Sequence, residues 1–89
     1  MPYIEDEQKF KDLLNQEYSW PARYRFKFIV KASQVQEVED LFAEGVDIVH
    51  KPSSGGKYIS LSIQVTMGNA EEIIAIYTAA AQIKGIISL

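Results

Sequence analysis

Cysteine is absent from the 89 residues, which excludes disulfides, thiol nucleophiles and sulfur-bound zinc. Histidine occurs once, at His50. A metal site would therefore need carboxylates as its remaining ligands, and no Ser-His-Asp order has spacing to support it. His50 reads as an ordinary strand residue. No apolar run approaches the roughly 20 residues that cross a bilayer. The N-terminus is acidic (Glu5, Asp6, Glu7) and lacks the basic-then-apolar layout of a signal peptide, so a cytoplasmic location is expected. Excess positive charge is missing too: the net charge is −3, which gives no general affinity for nucleic acid. With 47% hydrophobic and 24% charged residues, the chain has the balance of an ordinary globular protein, and its length suffices for one modest core.

What is present is organised around one stretch, Lys51-Pro52-Ser53-Ser54-Gly55-Gly56-Lys57-Tyr58, which leads into a strict alternation. Ile59, Leu61, Ile63, Val65 and Met67 share one parity, while Ser60, Ser62, Gln64 and Thr66 share the other. That is a turn followed by a central strand with one buried side. Residues 22–31 alternate in the same way. Tyr24, Phe26, Phe28 and Val30 face inward, and Arg23, Arg25, Lys27, Ile29 and Lys31 face outward. Residues 46–52 form a short strand of mixed pattern that Pro52 confines to an edge or ends.

Helices fill the gaps. Residues 5–17 carry Phe10, Leu13 and Leu14 at helical spacing, and this segment is expected to be an arm anchored by Trp20, with Pro21 holding Trp20 extended. Ser33 and Gln36 suggest a capping box for a helix with Val35, Val38, Leu41 and Phe42 buried and Gln34, Glu37, Asp40 and Glu44 wet, which Gly45 would end. Asn69 and Glu72 suggest a second box, for a helix burying Ile73, Ile76, Tyr77, Ala80 and Ile83 and stopping at Gly85. Ile86, Ile87 and Leu89 would close the sheet.

The order is a helix followed by βαββαβ. It predicts an N-terminal helical arm over residues 1–20 and an α+β, ferredoxin-like domain over residues 21–89. In that fold a four-stranded antiparallel sheet carries the two crossover helices on one face, with the first and third strands central.

Lys51-Pro52-Ser53-Ser54, the glycine after them, and Tyr58 with Ser60, Ser62 and Ile63 also carry a resemblance, joined by Trp20-Pro21 and the hydrophobic C-terminal strand. From about residue 18 to the end the chain resembles the small bacterial family named after YbeD, labelled lipoate regulatory proteins. The resemblance implies a fold similar to the ACT regulatory domains, which often pair through their edges, so self-association through a sheet edge or helix face is expected. The lipoate label implies a pathway and no chemistry. ACT domains that bind amino acids commonly carry glycine between the first strand and first helix. Here that turn is Lys31-Ala32-Ser33-Gln34, which argues against amino-acid binding by that route.

Catalysis has little to rest on. The carboxylate pairs Glu39–Asp40 and Glu71–Glu72 fall on wet sides or first turns of helices, where they favour the helix dipole or solvate a surface. Ser53-Ser54-Gly55-Gly56-Lys57 is not the phosphate-binding loop, which requires wider spacing, a hydroxyl after the lysine and a following helix. Its amides, with Lys51 and Lys57, could cradle an anion, although the turn alone explains the glycines. RNA recognition on the open sheet face is the alternative, but it needs stacking aromatics on the central strands, and only Tyr58 is offered. The expectation is therefore a non-catalytic regulatory or adaptor domain without cofactor or metal. Its open face would bind an acidic protein partner or small anionic ligand through Arg23, Arg25, Lys27, Lys51, Ser53, Ser54, Lys57 and Tyr58.

Overall fold

The computed structural model describes residues 6–89. Helix α1 (Glu7–Glu17) starts where Asp6 accepts a hydrogen bond from the Lys9 amide at 3.1 Å, a side-chain cap that satisfies one of the helix's free N–H groups. The expected start at residue 5 lies outside the described residues. Strand β1 (Ala22–Lys31) follows. After it come a single 3-10 turn (Ala32–Gln34), a short helix α2 (Val35–Glu39), strand β2 (Asp47–Pro52), strand β3 (Tyr58–Met67), helix α3 (Ala70–Ala80) and strand β4 (Ile87–Ser88). None of these helices is long and apolar enough to cross a membrane.

The four strands form one antiparallel sheet in the order β2-β3-β1-β4. The two alternating strands are central, as their patterns require, and the strand that ends in Pro52 lies at an edge. The β1–β3 register sets like against like: Phe26 opposes Ile63, Phe28 opposes Leu61, and Lys27 opposes Ser62. Both apolar rows therefore share one face, and Phe26, Phe28, Val30, Leu61 and Ile63 are buried there. Val38 of α2 and Ile73, Tyr77 and Ala80 of α3 complete this core from above.

Helix α1 belongs to the same core. Leu14 is 4% exposed and sits within the cluster, while Phe10 meets Tyr77 edge-on with ring centroids 6.0 Å apart. Lys11 reaches Glu71 of α3 at 3.5 Å. The Trp20 indole N–H donates to Asn15 Oδ1 at 2.8 Å, and its ring lies 5.7 Å from that of Tyr18, so Trp20 does pin α1 to the sheet. Helix α1 also explains a buried residue that the α3 pattern left out: Ile74 is buried in addition to Ile73, on the flank that α1 approaches.

The first crossover departs from expectation. Ser33 is not a helix cap. The turn instead starts at Lys31, whose amide donates to the Gln34 side chain at 3.1 Å, and Gln34 in turn donates to the Lys84 carbonyl at 2.7 Å. The latter bond ties the start of this crossover to the end of the other one. Helix α2 is also shorter than its periodicity suggests. Past Glu39 the chain tightens into three-residue turns, with the amides of Leu41 and Phe42 donating to the carbonyls of Val38 and Glu39 at 3.0 and 3.1 Å. Gly45 takes the left-handed conformation (φ 86°), but several residues beyond the end of the helix.

In the second crossover, Asn69 caps α3 by accepting from the Glu72 amide at 2.9 Å, and the Glu72 carboxylate accepts from the Gly68 amide at 3.0 Å. The reciprocal bond thus reaches one residue further back than a capping box requires. Helix α3 ends at Ala80, and the turns after it carry Ile83 into the core before Gly85 (φ 80°) redirects the chain.

Candidate functional site

All three helices contribute to the core on one side of the sheet, so the other side is uncovered by any described helix. The strand registers lay out its rows. Lys31 stands beside Tyr58 at one end. Next come Lys51, Ser60, Ile29 and Ile87 in line across the four strands, then Val49, Ser62 and Lys27, then Asp47, Gln64 and Arg25. Thr66 and Arg23 close the face. Leu89 joins it beside Lys27, whose carbonyl accepts from the Leu89 amide at 2.9 Å.

Two shallow hollows mark this face. One, of about 310 Å3, is lined by Lys27, Ile29, Lys51, Pro52, Ser53, Tyr58, Ser60 and Leu89. The other, of about 350 Å3, is lined by Arg25, Asp47, Val49, Ser62 and Gln64. A larger hollow of about 420 Å3 lies on the helical side, against Lys11, Ile74, Thr78 and Gln82. Of its charged neighbours, Lys11 and Glu71 pair with each other and Glu7 stands beside them, so it does not gather charge of one sign as the open face does.

The cations expected at the site divide into three groups. Arg25, Lys27 and Lys51 line the two hollows, and none has an ion-pair partner among the described residues. Arg23 behaves differently. Its guanidinium leans across β3 to Asp47 at 3.3 Å and Gln64 at 3.4 Å. Both charged groups are mostly exposed, so this pair is worth at most about 1 kcal/mol and is easily exchanged. Lys57 belongs to the hairpin and lines neither hollow. Its ammonium lies 5.6 Å from the centroid of the Tyr58 ring, a cation–π contact of the exposed kind.

The hairpin is largely occupied with itself. The Ser53 amide donates to the Tyr58 carbonyl at 2.9 Å, the Gly56 amide to the Ser53 carbonyl at 2.9 Å, and the Tyr58 amide to Ser53 Oγ at 3.3 Å. Three of the amides that might have cradled an anion are therefore already used. Gly56 has φ 71°, so the turn itself requires glycine there. Ser53 lines a hollow, whereas Ser54 lies in the exposed turn away from both.

Two features escape the alternating pattern. The open face is more apolar than its basic strand implies. Among the described residues, Val49 (65% exposed), Leu89 (53%), Ile87 (47%) and Tyr58 are four of the five large exposed hydrophobic side chains. Val49 is hidden in a strand of mixed pattern, and Ile87 and Leu89 in a short tail, so neither shows a period. The second feature is His50, which turns to the helix side and meets Glu39 of α2 at 2.7 Å. Glu39, expected on a wet face, thus takes part in a side-chain hydrogen bond that links α2 to the edge strand. Among the described residues no three potential ligands gather around a metal position.

The groups with displaced acidities also lie on the helix side. The hydroxyls of Tyr24 and Tyr77 are 2.9 Å apart. Burial raises the pKa of both, and the shared hydrogen bond raises that of Tyr77 further. Enclosed by aromatic rings, the pair acts as a core fastening and does not open onto either hollow.

Neither the curated proteins nor the solved structures yielded a match to this sequence. A family model does match, over residues 15–89, described as a protein of unknown function, DUF493. The match begins near the end of α1 and spans every strand, both hollows and the Lys-Pro-Ser-Ser hairpin. With this much of its length matched, the chain belongs to the DUF493 family.

Proposed function

We propose that this protein is a non-catalytic regulatory or adaptor domain that binds an acidic protein partner or a small anionic ligand through its open sheet face. One observation carries the reading. In an acidic chain, Arg25, Lys27, Lys31 and Lys51 stand together on the face that no described helix covers, without an ion-pair partner among the described residues. Folding does not require cations there, and their mutual repulsion is a modest cost. An anionic partner would remove that cost and gain charge-assisted hydrogen bonds from lysine, arginine and the neighbouring serines.

The strand order β2-β3-β1-β4 supports assignment to the ferredoxin-like sandwiches, and with them to the ACT-like regulatory folds. We further read the Lys-Pro-Ser-Ser hairpin as placing the chain among the bacterial YbeD-like proteins. A role in lipoate regulation is then a matter of which partner is bound, and the cytoplasm is the compartment that suits it. The edges of the sheet, β2 and the two-residue β4, leave backbone groups through which two copies could pair. The RNA-binding alternative is less well supported. Among the described residues Tyr58 is the only aromatic one on the open face, and Lys57 already lies against its ring.

Affinity capture from the native cell tests the reading, using the wild-type chain and the folded variant Arg25→Glu/Lys27→Glu side by side. A partner retained by the wild type and lost from the variant is expected. A variant that keeps every wild-type partner refutes it.

A further inference from the structure

The two hollows on the open face lie on successive rows of the same three strands and together outline a trough along β3. Its floor is β3, whose outward side chains between Tyr58 and Gln64 are the small Ser60 and Ser62. Its walls are the longer side chains of the flanking strands: Lys51 and Val49 of β2 on one side, and Ile29, Lys27 and Arg25 of β1 on the other. Ile87 and Leu89 extend the β1 wall toward the sheet edge. The backbones that carry the walls stand two interstrand spacings apart, about 9–10 Å, and from Tyr58 to Gln64 the floor runs roughly 20 Å at about 3.3 Å per residue.

The geometry points to a specific occupant: we infer that the trough receives an acidic amphipathic α-helix from a partner protein, laid along β3. This rests on the binding role proposed above and names the form of its partner. An α-helix is about 10 Å in diameter with its side chains, so it rests over all three strands with one row of its side chains reaching down between the walls. Roughly 13 residues of it cover 20 Å, the length of the trough. Charge sets its composition. Arg25, Lys27 and Lys51 call for Asp or Glu along the contact, while Val49, Ile29, Ile87 and Leu89 call for apolar residues among them.

Other occupants fit less well. An extended peptide gains its affinity by pairing with a free strand edge, but the trough lies over β3, whose ladder groups are engaged by β1 and β2 on both sides. Such a peptide would bring backbone N–H and C=O groups onto the sheet with only a few serines to meet them, which is costly. A helix satisfies its own backbone. A second copy presenting the same face would set Arg25, Lys27, Lys31 and Lys51 against their own equivalents, and like charges in register oppose such a two-fold contact.

Two display libraries of identical composition, rich in Glu, Asp, Leu and Ala, test this on the full-length protein. One presents 14-residue segments within a helical scaffold, and the other presents them interrupted by Gly-Pro. Both are selected against the wild-type chain, and an oligoglutamate peptide and a single-stranded RNA 10-mer are measured beside the selected clones. The expected result is enrichment from the helical library only, with acidic and apolar residues recurring at three- and four-residue spacing. Affinity should fall at least tenfold for Arg25→Glu/Lys27→Glu. It should also fall at least tenfold for Ser62→Phe, which raises the floor and leaves every charge in place. Ser60→Leu is a second floor variant, should Ser62→Phe fold poorly. Equal enrichment from the two libraries, or helical binders indifferent to both floor variants, would overturn the helix while leaving an anion-binding face intact. Tighter binding of RNA than of any peptide would overturn the protein partner. If no probe binds in a way that depends on Arg25 and Lys27, both the helix and the binding role fall.

Discussion

The two faces of the central strand pair are built from alternate residues of the same twenty positions, yet they follow different rules. On the helix-covered face, Tyr24, Phe26, Phe28 and Val30 meet Val65, Ile63, Leu61 and Ile59 in register, and the middle of each row is fully buried. Each such side chain contributes about 1.5–3 kcal/mol through burial, so this face supplies most of what holds the fold. On the open face, Arg23, Arg25 and Lys27 meet Thr66, Gln64 and Ser62, and among the described residues their charges are met only at Arg23. The period of two separates the requirements of folding from those of binding within a single strand. A substitution on one face should therefore leave the function of the other almost untouched.

Substitutions can break this contrast, and the largest effects belong to the covered face. Phe28→Ala should cost about 3–5 kcal/mol and Leu61→Ala about 2–5 kcal/mol, since both empty fully buried sites in the layer beneath the helices. Denaturant titration measures both losses. Nearly wild-type stability in either variant would mean that this face is not the core. Leu14→Ala carries the contrast onto α1 and should cost about 2–4 kcal/mol. Leu13→Ala, one residue away but 52% exposed, should change stability by less than about 0.5 kcal/mol. Equal small effects at Leu13 and Leu14 would return α1 to the status of a loose arm.

A smaller effect is expected at the tyrosine pair. Tyr77→Phe removes one side of the Tyr24–Tyr77 hydrogen bond and should cost about 1 kcal/mol at neutral pH. The pair also sets an alkaline limit. Both hydroxyls hold their protons more tightly in the folded chain than when unfolded. Their contribution is therefore complete below the ordinary tyrosine pKa of about 10 and is lost as pH rises above it. Stability measured from pH 8 to 11 should decline above about pH 10, and the Tyr24→Phe/Tyr77→Phe variant should flatten that decline. The smallest effect is expected on the open face, where Arg25→Ala and Lys27→Ala should each shift stability by no more than about 0.5 kcal/mol.

How much of this was legible in the sequence depended on how many constraints each residue obeys. The alternation of β1 and β3 was clear because one face is buried and the other is not, so the face each residue takes, and with it core membership, follows from parity. Asn69 was legible because its cap lies within three residues of its partner. The first crossover was not, because Ser33 and Gln36 have the local spacing of a capping box, whereas the turn is held by the bond from Gln34 to the Lys84 carbonyl, fifty positions away. The pairing of His50 with Glu39 was hidden for the same reason, as was the burial of Ile74, which depends on α1. At the candidate site the cations of β1 were readable. The apolar residues Val49, Ile87 and Leu89 were not, because β2 has a mixed pattern and β4 is only two residues long.

The most direct test of the central claim, that one face folds the chain and the other binds, is an amide chemical-shift map of the full-length protein titrated with a decaglutamate peptide at low and moderate salt. The account predicts perturbations confined to Arg25, Lys27, Lys51, Ser60 and Ser62 and their neighbours. They should weaken as salt rises and vanish in Arg25→Glu/Lys27→Glu, while the amides of α1 and α3 stay still. Perturbations centred on the helices, or a titration that the double variant reproduces unchanged, would contradict it.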